Sequence, residues 1–371
     1  MKTTRSAEGA KTLPREYYTS QEVYDLEAER IFRTHWLCAG RAAEIAAPGS
    51  YLLFDVDGES LILLRDGEGG VRGFYNVCRH RGTRLCEEPR GSLGKTIRCS
   101  YHAWTYGLDG GLVAAPNMKD VADFDRADYP LHPVATAVWN GSLFVNLSRE
   151  PEPIEDAFGQ LAGRFDAWQL SELVAVDRHE YDVRANWKML FQNYSECYHC
   201  PRIHPALNAL SGYSTASNDV TSGAFLGGPM QLADGVSSMS TTGAACGDVL
   251  SGLTAEDRRR VYYYSLFPTL LLSPHPDYVL VHRIERQAVD RTRVVCEFLF
   301  PPDIAARPGF DPTPAVEFWD MTNRQDWHAC ESSQAGVSSR AYVPGPYSNL
   351  ECTVAAFDRH YLEMLEGAAD V

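Results

Sequence analysis

The sequence predicts an α+β protein in two domains, a small β-rich one and a larger one whose antiparallel sheet is covered by helices. Three observations predict it. Short apolar and aromatic runs between about 38 and 150 are separated by the turn pairs Asp57-Gly58 and Asp66-Gly67, the pattern of successive hairpins. Glu152-Pro153 then breaks the chain. Farther on, Val279–Ile284 and Thr292–Phe300 read as neighbouring strands joined by Asp290-Arg291. A helix is expected from about Val316 to Gln334, where Val316, Phe318, Trp319, Met321 and Trp327 alternate with polar residues.

In chain order, Ser20–Trp36 reads as an amphipathic helix with a polar start at Thr19-Ser20. This N-terminal segment, 1–37, is expected to pack on the larger domain, which makes the small domain, 38–150, an insertion. The runs at Tyr51–Phe54, Leu61–Leu64 and Val71–Tyr75 are its hairpins, and Gly141–Leu147 is its last strand. The larger domain occupies 151–371. Residues 206–250 are rich in Gly, Ser, Thr and Ala without periodicity, which predicts a mobile lid.

Composition narrows the class. With 44% hydrophobic and 22% charged residues the chain reads as an ordinary globular protein, and a formal net charge of −15 argues against nucleic-acid or anionic-membrane partners. The apolar run Tyr262–Leu272 is interrupted by Pro268, so it does not make a membrane span. No leader pattern is read at Met1–Thr4, and the ten cysteines are expected to be reduced, in the cytoplasm.

The chemistry is concentrated in a few motifs. Cys78-Arg79-His80 and Cys99-Ser100-Tyr101-His102 each pair one Cys with one His on a Gly- and Pro-punctuated loop. Structural zinc sites group like with like, whereas two mixed pairs suit a [2Fe–2S] cluster with Cys on one iron and His on the other, the Rieske arrangement. The chain is far longer than such a cluster needs, and a second motif accounts for the excess. Asn193, Glu196, His199 and His204 lie in one short segment. Residues five apart stand about 140° apart on an ideal helix, but Pro201 is expected to end the helix near His199 and let His204 turn back to the same metal. Two His and one carboxylate form the facial triad of a mononuclear Fe(II) that activates O2. The helix 316–334 offers Asp320, Asp326 and Glu331. Glu196 precedes His199 by one helical turn and is placed to orient its ring. Cys197 and Cys200 are read as packing residues. Gly94-Lys95-Thr96 fails as a phosphate loop because Pro89 stands where Gly is needed, and no G-x-G-x-x-G opens a βαβ unit. Electrons therefore have to come from a separate protein.

From about 16 to about 362 the chain resembles the large (alpha) subunit of Rieske non-heme iron oxygenases. The setting Asn193-Tyr194-Ser195-Glu196-Cys197-Tyr198-His199-Cys200-Pro201, together with Leu266–Val279, resembles the branch acting on glycine betaine and carnitine. The resemblance implies a cluster on Cys78, His80, Cys99 and His102 in a β-rich Rieske domain. It implies Fe(II) on His199, His204 and Asp326 in the catalytic domain, with Asn193 and Glu196 as catalytic-segment residues. It further implies O2 as co-substrate, a separate flavin/iron–sulfur reductase that draws on NAD(P)H, and a head-to-tail homotrimer in which Glu196 links His199 to the partner subunit's His102. The expected reaction is hydroxylation or N-demethylation of a small quaternary ammonium compound such as a betaine. Aromatic faces for such a cation are available from Phe191, Tyr194, Tyr198, Tyr262, Tyr263, Tyr264, Phe267, Trp319 and Trp327. An aromatic-ring dioxygenase or O-demethylase uses the same metals, and a non-catalytic iron–sulfur carrier or zinc-stabilised binding protein is the reading from another class.

Overall fold

Asp57 and Gly58 both take positive φ, 49° and 83°, and fold Ser50–Val56 back on Glu59–Arg65 with Val56 opposite Glu59. A two-residue turn of this hand matches the twist of the strands it joins. The structure, a computed structural model, describes residues 9–367; Met1–Thr4, read above for a leader, lies outside the described residues. Among these residues the chain divides at Phe32 and Ala157 into one unit between those positions and a second unit made of the chain through Ile31 and from Phe158 onward.

The Phe32–Ala157 unit holds a seven-stranded antiparallel sheet in the order Leu37–Arg41, Ser142–Asn146, Pro133–Trp139, Val71–Tyr75, Glu59–Arg65, Ser50–Val56, Arg90–Ser92. A separate three-stranded sheet is formed by Thr96–Arg98, Thr105–Gly107 and Leu112–Ala114, with Gly110 at φ 86° in the turn between the last two. Ile62, Leu64, Phe74, Ile97, Trp104 and Tyr106 converge on one core that also buries Cys78 and Cys99.

The second unit is built on a seven-stranded sheet in which every pair is antiparallel: Val174–Val183, Arg291–Phe300, Val279–Ala288, Leu270–Pro274, Arg260–Leu266, Phe225–Gln231, Val220–Ser222. The expected neighbours at 279–284 and 292–300 do pair, Val281 facing Glu297. The helices Trp187–Tyr194, Thr313–Val337 and Cys352–Glu366 belong to the same unit. Ser20 caps the helix Gln21–Glu27, its side chain accepting from the Val23 amide. The regular helix is shorter than Ser20–Trp36, because the chain passes into a π-helical turn at Ala28–Phe32.

Two segments singled out in the sequence take definite form here. The Gly-rich stretch 206–250, expected to be a mobile lid, contains the helix Pro205–Leu210 from its second residue on and the strands Val220–Ser222 and Phe225–Gln231. At Gly228 glycine serves close approach, since a Cβ there would sit 2.1 Å from the Ser217 carbonyl oxygen. The Tyr262–Leu272 run forms parts of two strands broken at Phe267-Pro268, and no helix among the described residues is long and apolar enough to cross a membrane.

Candidate metal centres and active site

Two tight loops of matching construction carry the first constellation. In one, the Cys78 amide donates to the Thr83 carbonyl and Gly82 donates back to Cys78; in the other, Cys99 donates to Trp104 and Ala103 donates back to Cys99. The fourth residue after each Cys takes left-handed φ, 74° at Gly82 and 57° at Ala103. Each loop thus folds a Cys and a following His to one side. The His80 and His102 rings meet edge-on at 4.7 Å between centroids, and His80 stacks on Trp104 at 4.8 Å. Asn76 braces the first loop, its Oδ1 accepting from the Leu85 and Cys86 amides, both at 2.9 Å.

The electrostatics suit a cluster. Burial, together with the neighbouring His102 and Arg81, holds the His80 ring below its ordinary pKa, so it presents a neutral imidazole. Burial raises the Cys78 thiol, and the adjacent Cys99 adds to the rise. A buried thiol such as Cys78 would be stabilised as a thiolate by ligating iron. The Tyr106 hydroxyl accepts from the Arg79 amide at 3.0 Å and stands 3.3 Å from the Cys78 sulfur, which directs its proton to that sulfur. Hydrogen bonds to ligating sulfur raise a cluster's potential. Tyr106→Phe is therefore expected to lower the reduction potential in an EPR-monitored titration, and an unchanged potential would detach this hydroxyl from the cluster.

The second constellation begins at the helix Trp187–Tyr194, capped by the Asn186 side chain accepting from Lys188 at 3.1 Å. This helix ends before Glu196, so Glu196 and His199 do not share a helix face as the sequence predicted. Pro201 does not end a helix but stands in the first turn of the next one, Cys200–Ile203, where its missing N–H costs nothing. The turn between these helices does the positioning. Glu196 Oε2 accepts from the amides of Tyr198 and His199, and Oε1 accepts from His199 Nδ1 at 2.5 Å. The turn also brings the Cα atoms of Cys197 and Cys200 to 5.0 Å and joins them in a disulfide, which corrects their reading as separate reduced packing residues. The remaining eight cysteines are free.

With Nδ1 held by Glu196, His199 turns Nε2 toward Asp326 Oδ1 at 3.3 Å; His204 turns Nε2 to the same oxygen at 2.7 Å and gives Nδ1 to Gln325 Oε1 at 2.7 Å. The ligand atoms of His199, His204 and Asp326 lie within 4.8 Å of one another. Asp320 and Glu331, the other carboxylates of this helix, are engaged elsewhere, Asp320 with His179, Tyr181 and Arg324, Glu331 with the Arg184 amide. Burial pushes the His199 pKa down, but Asp326 and Glu196 outweigh it and raise the ring to about 10. Asp326 is held below the usual carboxylate range by the two imidazoles, against the effect of burial. A site that holds a proton this firmly suits a metal cation, and the two-His, one-carboxylate set fits ferrous iron.

A cavity of about 120 Å³ opens beside the triad. Strand alternation decides which aromatics reach it. Tyr263 points in with Tyr194 and Trp319, while Tyr262 and Tyr264 point to the opposite face of their strand. Phe191 and Phe267 are in the core against Phe357, Tyr198 is 56% exposed, and Trp327 is buried against Tyr181 and His282. Asn193 lines the cavity beside Glu196. Sequence reasoning missed Gln325, His282 and Asn323 as site residues. The His282–Asn323 bond, Nε2 to Oδ1 at 3.1 Å, joins a strand to a helix and leaves no spacing signal; burial holds the His282 pKa down to about 4.

Comparison with known proteins places these features. Residues 35–125 match the Rieske [2Fe-2S] domain, and residues 170–367 match the catalytic domain of the ring hydroxylating alpha subunit. The glycine betaine monooxygenase oxygenase subunit of Pseudomonas aeruginosa is 30% identical, the match covering 93% of this chain and 86% of that protein. The carnitine monooxygenase oxygenase subunit of Acinetobacter baumannii is 36% identical over 53% of each chain. The crystal structure of the quaternary ammonium Rieske monooxygenase CntA in complex with an inhibitor superposes with a TM-score of 0.84 at 25% identity, covering 97% of both chains.

Proposed function

This chain belongs to the ring-hydroxylating oxygenase alpha subunits that carry a Rieske [2Fe–2S] domain, and from that premise we propose that it hydroxylates an N-methyl group of a small quaternary ammonium compound, betaines being the first to try, and thereby demethylates it. The observation that carries this reading is the wall of the cavity. Tyr194, Tyr263 and Trp319 offer aromatic faces, and among the described residues no Lys or Arg lines the cavity. Aromatic faces attract an ammonium ion, whereas an aromatic carboxylic acid brings them no positive charge.

The family's cofactors are a [2Fe–2S] cluster and a mononuclear non-heme iron, which when bound supply single electrons and O2 activation. We assign Cys78, His80, Cys99 and His102 to the cluster, and His199, His204 and Asp326 to the iron. Glu196 and Gln325 keep the Nδ1 protons of His199 and His204, fixing both rings with Nε2 toward Asp326. The aromatic wall positions the ammonium beside the triad. Hydroxylation of an N-methyl carbon leaves an N-hydroxymethyl group, which releases formaldehyde and a proton to give the tertiary amine. A separate reductase supplies the electrons. A homotrimer, with Glu196 joining His199 to the partner subunit's His102, belongs to the same proposal, as does a cytoplasmic location.

The test is product analysis on the reduced holoenzyme with O2 and N-trideuteromethyl substrates. Deuterated formaldehyde and tertiary amine in equal amounts are expected. Turnover of aromatic acids with quaternary ammonium compounds left intact would overturn the assignment.

A further inference from the structure

We infer, resting on the quaternary ammonium reading, that the cavity is shaped for an N-methylated ammonium bearing a hydroxyl rather than a carboxylate, and that Tyr263 and His282 recognise that hydroxyl. Tyr263 Oη and His282 Nδ1 are enclosed polar atoms without a hydrogen-bond partner. Both residues line the cavity, and both rings stand edge-on to Tyr194, at 6.0 and 6.3 Å between centroids. Enclosed polar atoms are almost always satisfied in native proteins, so two orphans at one cavity point to a ligand's polar group.

Their chemistry defines that group. His282 Nε2 faces the Asn323 carbonyl oxygen at 3.1 Å and must be its donor, which leaves Nδ1 with a lone pair and no proton. Tyr263 has an O–H to give. A hydroxyl can accept from the tyrosine and donate to the imidazole, whereas a carboxylate can only accept and is repelled by the Nδ1 lone pair.

Most hydroxyls of the wall are already committed. Tyr194, Ser195, Ser265, Thr322 and Thr353 already donate their protons to the carbonyls of Leu272, Phe191, Leu226, Phe318 and Ser195. The charged groups at the wall outside the imidazoles are the carboxylates Glu196 and Asp326, and among the described residues no Lys or Arg lines it. A carboxylate would have to leave the Nδ1 lone pair unsatisfied, and Asn193 and Ser217, which also line the wall, offer it only neutral donors. An N-methylated amino alcohol brings its positive charge to the aromatic faces and its hydroxyl to the two orphans.

The experiment is anaerobic calorimetry of the holoenzyme with choline, glycine betaine and tetramethylammonium. Choline is expected to bind about tenfold more tightly than glycine betaine, the scale of one net hydrogen bond. Tyr263→Phe keeps the ring face and removes the donor, so it should weaken choline by a similar factor and leave tetramethylammonium where it was. Glycine betaine binding as tightly as choline overturns this inference and leaves the quaternary ammonium reading standing, whatever the variant does. Binding of none of the three overturns both.

Discussion

His199→Ala is expected to leave the visible and EPR spectra of the cluster unchanged and to take turnover below detection, with the mononuclear iron lost on metal analysis. The cluster residues Cys78, His80, Cys99 and His102 lie in the Phe32–Ala157 unit, whereas His199 lies in the other. At the triad the loss cannot be made up. His204 and Asp326 supply two ligand atoms, and the third within 4.8 Å of them among the described residues comes from His199. Glu196, left without the ring it orients, adds an unpaired carboxylate rather than a substitute in the same place. Gln325→Ala makes a graded comparison. It removes only the acceptor at 2.7 Å that holds His204 Nδ1, and loss of such an orienting partner costs about 10–100-fold in metal affinity. Turnover surviving in His199→Ala, or equal loss in both variants, would break the ligand assignment.

Much of this site is visible in the sequence because it is built from local pairs. The Cys-His loops are short, each closes on its own backbone, and the residue types state the metal. Asp326 could be weighed against Asp320 and Glu331 only as members of one helix; what separates them is their partners across the fold, Arg324 and Tyr181 for Asp320 and the Arg184 amide for Glu331. The same limit hides Tyr263. In the run Tyr262-Tyr263-Tyr264 the three rings look equivalent until strand pairing fixes which one faces the triad.

The misreadings have physical causes too. Glycine in 206–250 reads as looseness in the sequence, yet at Gly227 a Cβ would lie 2.0 Å from the Tyr263 carbonyl oxygen, so the small residue lets Phe225–Gln231 pack close to Arg260–Leu266. Pro201 has two helical meanings, stop and first turn, and the spacing of His199 and His204 is compatible with either. The structure takes the second, and it is the turn braced by Glu196 that aims His199.

Glu27→Ala is expected to be the most damaging single change to the stability of the catalytic unit, about 3–5 kcal/mol, the range for breaking a buried ion pair. Glu27 and Lys188 are both completely buried and bonded to each other. Glu27 also accepts from Trp187 Nε1 at 2.9 Å, Tyr361 Oη at 2.7 Å and Arg286 Nη1 at 3.2 Å. One carboxylate from the N-terminal helix thus serves two cations and two neutral donors from three other elements. Removing it strands the Lys188 ammonium, whose pKa burial already pulls down against the upward pull of Glu27. Lys188→Met is milder, because Glu27 keeps Arg286, Trp187 and Tyr361 and the methionine fills most of the space. Chemical denaturation of the holoprotein, followed by tryptophan fluorescence, should rank Glu27→Ala well below Lys188→Met. The reverse order would show that the ammonium, not the carboxylate, is the centre of the network. Because Trp187 and Lys188 begin the helix that leads through Tyr194 into the Glu196–His199 turn, Glu27→Ala is also expected to weaken iron retention, a consequence that reaches the metal from the far end of its supporting helix.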